Sequence, residues 1–365
     1  MPADLISSIS TTELTPLLDA NVPPYLLDVR EPDEVADWSI PGVHNIPLGE
    51  LPSRFAELPH DARVVVICAL GSRAQLGAEI LAKENVASQV LDGGMAAWAR
   101  TYDRVEATFG DATVVQIRRR GKGCLSYVIG CGATAIVIDP STDLANYEDV
   151  AKHHGWRIDH ILDTHLHADH LSGARGLRER TGATLWLNAA DPFSFKFWPL
   201  RDGGLIELSP GVQLSVSSVC VPGHTEGSTM FQLGNHAVFT GDTLFLESVG
   251  RPDLADNAEA FAHSLYRSIH ERILSLPDDI LVFPAHYGKN VDVRSGHFVT
   301  ATLGSLRRSL GVLGLSEGAF VEWALQNVKD RPENYQAIVR INTGNDVGSA
   351  SSLELENGPN RCAIG

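Results

Sequence analysis

The apolar pair Ile161–Leu162 runs into Asp163-Thr-His-Leu-His-Ala-Asp-His170, which puts His165, His167, Asp169 and His170 within six positions. Imidazole and carboxylate side chains are ligands for zinc or iron. Residues 165, 167 and 169 alternate, so an extended segment would aim them to one side. Three later pieces add to this cluster. PGHTEGS holds His224 in a glycine-bounded turn, FTGDTLF ends a strand at Asp242, and FPAHYG ends another at His286. Ligand-type side chains at the C-terminal ends of several strands can converge, which requires a sheet-rich fold with its strand ends gathered at one edge. A single histidine is more often a surface or core residue, and nine of the fourteen, including His153, His154, His263 and His297, read that way.

A second constellation lies upstream. Cys68 ends the run VVVIC, and Ala69-Leu-Gly-Ser-Arg73 leads into a segment of helical spacing, Gln75–Lys83. At such a strand–helix junction the backbone N–H groups and the helix N-terminus converge, which stabilises a thiolate and an anion bound to it. Gly71 permits a tight loop, and Arg73 adds a positive charge. Asp28 and Arg30 are either an ion pair that supports this loop or a solvated strand end. His44 reads as structural.

The rest of the chain is organised around these two sites. Strand signals at Tyr25–Val29, Val64–Cys68 and Gln89–Leu91 alternate with helical ones at Gln75–Lys83 and Met95–Arg100, the pattern of a small parallel α/β domain. Residues 101–112 lack periodicity and read as a linker between domains at 1–104 and 113–365. Further strands are expected at Thr113–Ile117, Ser126–Ile129, Ala135–Asp139, His160–Leu162, Thr184–Leu187, Gln213–Val219, Ala237–Thr240 and Ile280–Phe283, with helices at Tyr147–His154 and Ala258–Leu274. Many strands and few helices suggest two packed sheets with outer helices.

Composition excludes several classes of function. The net charge is −16, and the segments before and after residue 104 carry −8 each, so neither is a basic module suited to nucleic acid. No apolar run approaches the roughly 20 residues that span a bilayer, and the start of the chain has no basic region followed by an apolar one. Five irregularly spaced cysteines form no disulfide framework. A reducing, cytoplasmic setting is expected. Cys124, Cys131 and Cys220 read as core residues, and Cys362 as exposed and without a role.

The first constellation resembles the rhodanese family over about residues 5–100, through LLDVREPDE, IPGVHNIPL, the CALGSR loop and LDGGMAAW. The resemblance implies that Cys68 and Arg73 are catalytic, with Cys68 carrying sulfane sulfur as a persulfide. Ala69 stands where many rhodaneses have a basic residue and Ala74 where Ser or Thr is common, departures that put a preference for anionic thiosulfate in doubt and leave a persulfide donor open. The second constellation resembles the metallo-β-lactamase superfamily from about Val114 onward, implying an αββα sandwich with the metal at one edge.

Within that superfamily THLHADHLSG, PGHTEGS, TGDTLF, SVGRPDL and RPENYQAIVRIN are similar to the persulfide dioxygenase and glyoxalase II branch. The dioxygenase resemblance implies one Fe(II) per chain on His165, His224 and Asp242, with His167, Asp169, His170 and His286 as supporting residues. The substrates would be a small thiol persulfide such as glutathione persulfide, and O2; the product would be sulfite, with thiosulfate if sulfite returns to Cys68. The glyoxalase II resemblance implies two zinc-class ions, held with the help of the same four residues, and thioester hydrolysis. A third reading is a sulfur carrier or sensor without turnover. A sulfur-transfer domain beside a persulfide-oxidising one makes a consistent pathway, which favours the dioxygenase. Arg251, whose planar fork suits a carboxylate, and Tyr287 are candidates for binding the substrate. A homodimer is a family expectation only.

Overall fold

The computed structural model describes residues 5–59, 61–207, 215–254, 257–288, 291–293, 296–328, 331, 334–346, 355–356, 358 and 362–364. It has two compact units. One is Met1–Asp103 with Arg119–Lys122 and Asn357–Pro359; the other is Arg104–Arg118 with Gly123–Glu356 and Asn360–Gly365.

The first unit is a five-stranded sheet of β1 (Ile6–Ile9), β2 (Tyr25–Asp28), β3 (His44–Asn45), β4 (Val64–Ile67) and β5 (Ser88–Leu91), in the order β1-β5-β4-β2-β3. Every pairing is parallel. The β4 run VVVI is buried on both faces, as a central parallel strand must be. Val64 and Val66 pack with Ala74, Ala78 and Leu81 of α4 (Ser72–Lys83). Val65 and Ile67 face the other way, onto Leu14 of α1 (Thr11–Leu18) and onto Met95 and Trp98 of α5 (Gly94–Trp98). Helix α4 starts three residues before the periodic segment, and α5 ends two residues before Arg100. Helix α2 (Pro32–Asp37) follows β2, and α3 (Leu51–Arg54) follows β3.

The second unit begins where a linker was expected. Tyr102–Phe109 is strand β6, at the edge of a seven-stranded sheet. Among its residues Val105 alone is buried, so it lacks the apolar alternation by which strands are read; its pairing comes from its neighbour β7 (Ala112–Arg119). The sheet continues through β8 (Cys124–Cys131), β9 (Thr134–Ile138), β10 (Arg157–Leu162), β11 (Thr184–Leu187) and β12 (Trp198–Pro199). A six-stranded sheet holds β13 (Leu205–Glu207), β14 (Ser215–Cys220), β15 (Thr229–Leu233), β16 (Ala237–Gly241), β18 (Leu281–Pro284) and β19 (Ala301–Thr302). Residues 213–214, expected to open β14, lie outside the described residues.

The sheets face each other across one apolar layer. Val114, Leu125, Tyr127, Ile129, Ile136 and Ile138 of the first meet Val216, Phe231, Leu233, Phe239 and Phe283 of the second. Helices α6 (Ala145–His154) and α7 (Ala174–Thr181) cover the outer face of the first sheet. Helices α8 (Ala258–Arg267), α9 (Leu303–Ser309) and α10 (Glu317–Gln326) cover that of the second. This is an αββα sandwich. The helix expected over Ala258–Leu274 changes pitch, because Ser268–Ile273 continues α8 as a π-helical turn. Near the C-terminus α11 (Tyr335–Asn342) is followed by β20 (Ala363–Ile364), which pairs antiparallel with β17 (Val249–Gly250).

Candidate functional site

In the first unit Cys68 follows β4 directly and is fully buried. Its Sγ accepts from the Gly71 N–H at 3.1 Å, and Gly71 takes φ +103°, so the glycine lets the chain fold back over the sulfur. The loop is clamped from behind. Met95 N–H donates to the Cys68 carbonyl at 2.8 Å and Ala96 N–H to the Ala69 carbonyl at 3.0 Å. Gly94, at φ +56°, allows this approach, since a Cβ there would overlap the Cys68 carbonyl oxygen. The LDGG motif is thus the mould of the loop.

Arg73 does not stand alone beside the sulfur. Its guanidinium forms a two-pronged pair with Glu34 of α2, at 2.7 and 2.8 Å. Asp28 and Arg30 form a buried ion pair (Arg30 Nη2–Asp28 Oδ2 2.7 Å), so they are no solvated strand end. His44 stacks on Tyr25 with ring centroids 4.3 Å apart.

In the second unit the ligand-type residues follow strand ends: His165 after β10, His224 after β14, Asp242 after β16 and His286 after β18. The HxHxDH segment is not extended. It bends after β10, so its side chains enter three adjacent groups in place of one row.

The first group is His165, His224 and Asp242, whose ligand atoms lie within 4.8 Å of one another. The hydrogen bonds set the imidazole tautomers. His224 Nδ1 lies 2.9 Å from the Arg251 carbonyl oxygen, which can only accept, so Nδ1 carries the proton and Nε2 a lone pair. Thr164 Oγ1 donates to Asp139 Oδ2 at 2.9 Å, so it accepts from His165 Nδ1 at 2.8 Å, and His165 Nε2 also keeps its lone pair. His165 Nε2, His224 Nε2 and Asp242 Oδ2 are buried and make no hydrogen bond. Both nitrogens are within 3.5 Å of that oxygen. Burial lowers the His224 pKa to about 4 and keeps the ring neutral. Burial alone would raise the Asp242 carboxyl, but His286 and His165 hold it well below the usual range. Two imidazole lone pairs and a carboxylate oxygen, buried and unpartnered, fit a divalent transition metal.

The second group is Asp169, His170, His286 and Cys124. Here the side chains engage one another. His170 Nδ1 is 3.0 Å from Asp169 Oδ1. His286 lies between two carboxylates, with Nδ1 2.6 Å from Asp242 Oδ1 and Nε2 3.0 Å from Asp169 Oδ2, the second approach lying off the hydrogen-bond axis. The third group is His167 with Asp139 and Asp163, His167 Nε2 standing 3.3 Å from Asp139 Oδ1.

Sequence reading missed the supports. Asp139, at φ +52°, accepts from Thr164 N–H and ties the end of β9 to the HxHxDH turn. Asp191 accepts from Leu166 N–H and from Thr225 Oγ1 and Gly227 N–H, joining that turn to the PGHT loop. Asn342 Nδ2 donates to the His167 and His170 carbonyls at 2.9 Å each, which explains why the RIN segment accompanies the motif. Gly223, at φ +142°, packs where a Cβ would overlap the backbone of Leu265 in α8. The aspartates have no distinguishing signal, since each acts on a loop far away in sequence.

Arg251 is buried, with its guanidinium paired to Asp253 at 2.7 and 2.9 Å. It reaches the site through its carbonyl. Tyr287 is partly buried next to His286, and its N–H donates to the Gly123 carbonyl. Cys362, expected to be exposed, is buried, with its sulfur among the ligand atoms of Asp242 and His286. Pairing of β20 with β17, and donation from Arg251 N–H to the Cys362 carbonyl at 2.9 Å, carry it there.

Comparison with known proteins agrees with both halves. Residues 10–101 match the rhodanese-like domain and residues 119–286 the metallo-β-lactamase superfamily. The chain carries a rhodanese-like domain followed by a metallo-β-lactamase domain, a metal-binding fold. Its curated relatives include the mitochondrial persulfide dioxygenase ETHE1 of Bos taurus, 32% identical over 154 residues, or 42% of this chain. They also include the hydroxyacylglutathione hydrolase of Pseudomonas entomophila, 32% identical over 153 residues, or 41% of this chain. The match spans 58% of the first relative and 56% of the second. The crystal structure of ETHE1 from Myxococcus xanthus is similar with a TM-score of 0.55 and 27% identity, over 66% of this chain and 98% of that one. A metallo-β-lactamase from Staphylococcus aureus gives 0.59 and 26%, over 64% and 73%. Among the described residues no helix is long and apolar enough to cross a membrane.

Proposed function

We propose that the second unit is a persulfide dioxygenase and that the first transfers sulfane sulfur through Cys68. The observation that carries the first part is the converging trio of unpartnered donors, His165 Nε2, His224 Nε2 and Asp242 Oδ2, beside Asp169, His170 and His286, which are engaged with one another. This trio supports one metal held by His165, His224 and Asp242. His165, His224 and Asp242 would hold a ferrous ion, which would supply redox chemistry toward dioxygen. The overall reaction is R–S–SH + O2 + H2O → R–SH + SO3²⁻ + 2 H⁺, in which the sulfane sulfur is oxidised by four electrons and dioxygen takes them up.

The chain's own residues do the positioning. Thr164 and the Arg251 carbonyl hold the two imidazoles with their lone pairs inward, and His286 holds one oxygen of Asp242 so that the other faces the ion. We assign Arg251 this positioning role in place of the substrate contact suggested by its sequence context, because its guanidinium is occupied by Asp253. Tyr287 is kept as the candidate contact to the substrate. Glutathione persulfide is the substrate proposed.

A two-metal thioester hydrolase is the second reading. It is favoured by the closeness of Asp169, His170 and His286 and by the hydroxyacylglutathione hydrolase relatives. Elemental analysis with oxygen uptake on glutathione persulfide separates the two. About one iron per chain with oxygen consumed is expected. Two zinc-class ions, turnover of a glutathione thioester and no oxygen uptake would replace the dioxygenase by the hydrolase.

A further inference from the structure

Arg73 is the one cation of the Cys68 loop, and Glu34 occupies it with both carboxylate oxygens. The Glu34 side chain comes from another element, α2, where its Oε2 also accepts from the Glu31 N–H at 3.2 Å. The pair is about one-third exposed, so it is a formed contact at the rim of the site and no part of the core. The Cys68 sulfur accepts from a backbone amide, that of Gly71. The residue at the crest of the loop, Leu70, is 72% exposed, and Leu76 on the first turns of α4 is 51% exposed. The one positive charge of the loop is therefore paired with a carboxylate, and residues 1–104 carry a net −8.

This bears on the sulfur donor. Cys68 is buried, so a donor's reacting end must leave water to meet it. A charge moved out of water needs a counter-charge to offset its lost hydration. Thiosulfate brings a sulfonate bonded directly to the sulfur that moves, and the transfer Cys68–S⁻ + S–SO3²⁻ → Cys68–S–S⁻ + SO3²⁻ gathers three negative charges at one place. An organic persulfide reacts as Cys68–S⁻ + R–S–SH → Cys68–S–SH + R–S⁻, forming the Cys68 S–S bond and breaking that of the donor, with one negative charge throughout. Its carboxylates, if any, stay several bonds away from the sulfur.

We infer that Glu34 determines donor specificity by cancelling Arg73, closing the Cys68 site to dianionic donors and leaving it open to organic persulfides. This rests on the proposed role of Cys68 as the sulfur carrier. Glu34 is a positioning residue that acts through Arg73.

The test follows loading of Cys68 in the full-length protein, without oxygen, by intact mass against donor concentration. The donors are thiosulfate and glutathione persulfide. Wild-type protein is expected to load much faster from the persulfide. Glu34→Gln keeps the shape of the side chain but frees the guanidinium. It should raise the loading efficiency with thiosulfate about tenfold, mainly through a lower half-saturating concentration. Loading from glutathione persulfide should stay within about threefold, which also reports that the loop still folds. Glu34→Asp retains the negative charge and should retain the wild-type preference. An unchanged donor ratio in Glu34→Gln, or a wild-type preference for thiosulfate, overturns the inference while leaving Cys68 as carrier. Loading that survives in Cys68→Ser overturns the carrier role itself.

Discussion

The two units build their candidate sites by opposite means. In the first, six consecutive residues, Cys68 to Arg73, make the site, and backbone does the shaping: an amide on the sulfur, a left-handed glycine, and two N–H donors from α5 behind the loop. In the second, four strand ends contribute the side chains, and further side chains orient them. Asp139 acts through Thr164 on His165, the Arg251 carbonyl acts on His224, and His286 acts on Asp242. A site made of backbone is sensitive to the space a Cβ takes. A site made of side chains is sensitive to which hydrogen-bond partner each one keeps.

Three substitutions would break or sharpen this contrast. The largest effect is expected for His224→Ala, which removes one of three inward donors. Iron content and oxygen uptake should fall by well over about 100-fold, beyond what supporting residues command. Retention of stoichiometric iron would move the metal to the Asp169 group. Next is Gly94→Ala. Both its positive φ and the overlap with the Cys68 carbonyl oppose the methyl group, and a loss of about 3 kcal/mol is expected in thermal unfolding of the first unit. Loading of Cys68 should drop, while oxygen uptake with glutathione persulfide persists; a wild-type unfolding curve would mean that the clamp from α5 is dispensable. The smallest effect is that of Thr164→Val, which keeps the volume but withdraws the acceptor at His165 Nδ1. Iron affinity by competitive chelation should weaken about 10- to 100-fold with little change in unfolding temperature. An unaltered affinity would show that burial alone orients the ring.

Much of this was legible before any coordinates. The β4 run VVVI announced a doubly covered parallel strand, and the HxHxDH, PGHT, TGD and PAH pieces announced ligand-type residues at strand ends, because apolar runs and strand–loop junctions are local patterns. Strand β6 was not legible, since an edge strand with one buried residue carries no periodic signal. Nor was the bend that divides His165, His167 and Asp169 among three groups; alternation in sequence implies one face only if the backbone is extended.

By itself, then, the sequence determined which chemistry is available: a thiol at a strand–helix turn, a set of imidazoles and carboxylates, and two α/β domains to hold them. Tertiary structure decided how that chemistry is divided. It gathered His165, His224 and Asp242 with unpartnered ligand atoms, set Asp169, His170 and His286 against one another, used the Arg251 carbonyl as a brace for His224, buried Cys362 beside Asp242 through a strand pairing more than one hundred residues apart in sequence, and paired Arg73 with Glu34. Most of these are choices of partner between residues distant along the chain, and such choices depend on which surfaces the fold brings into contact.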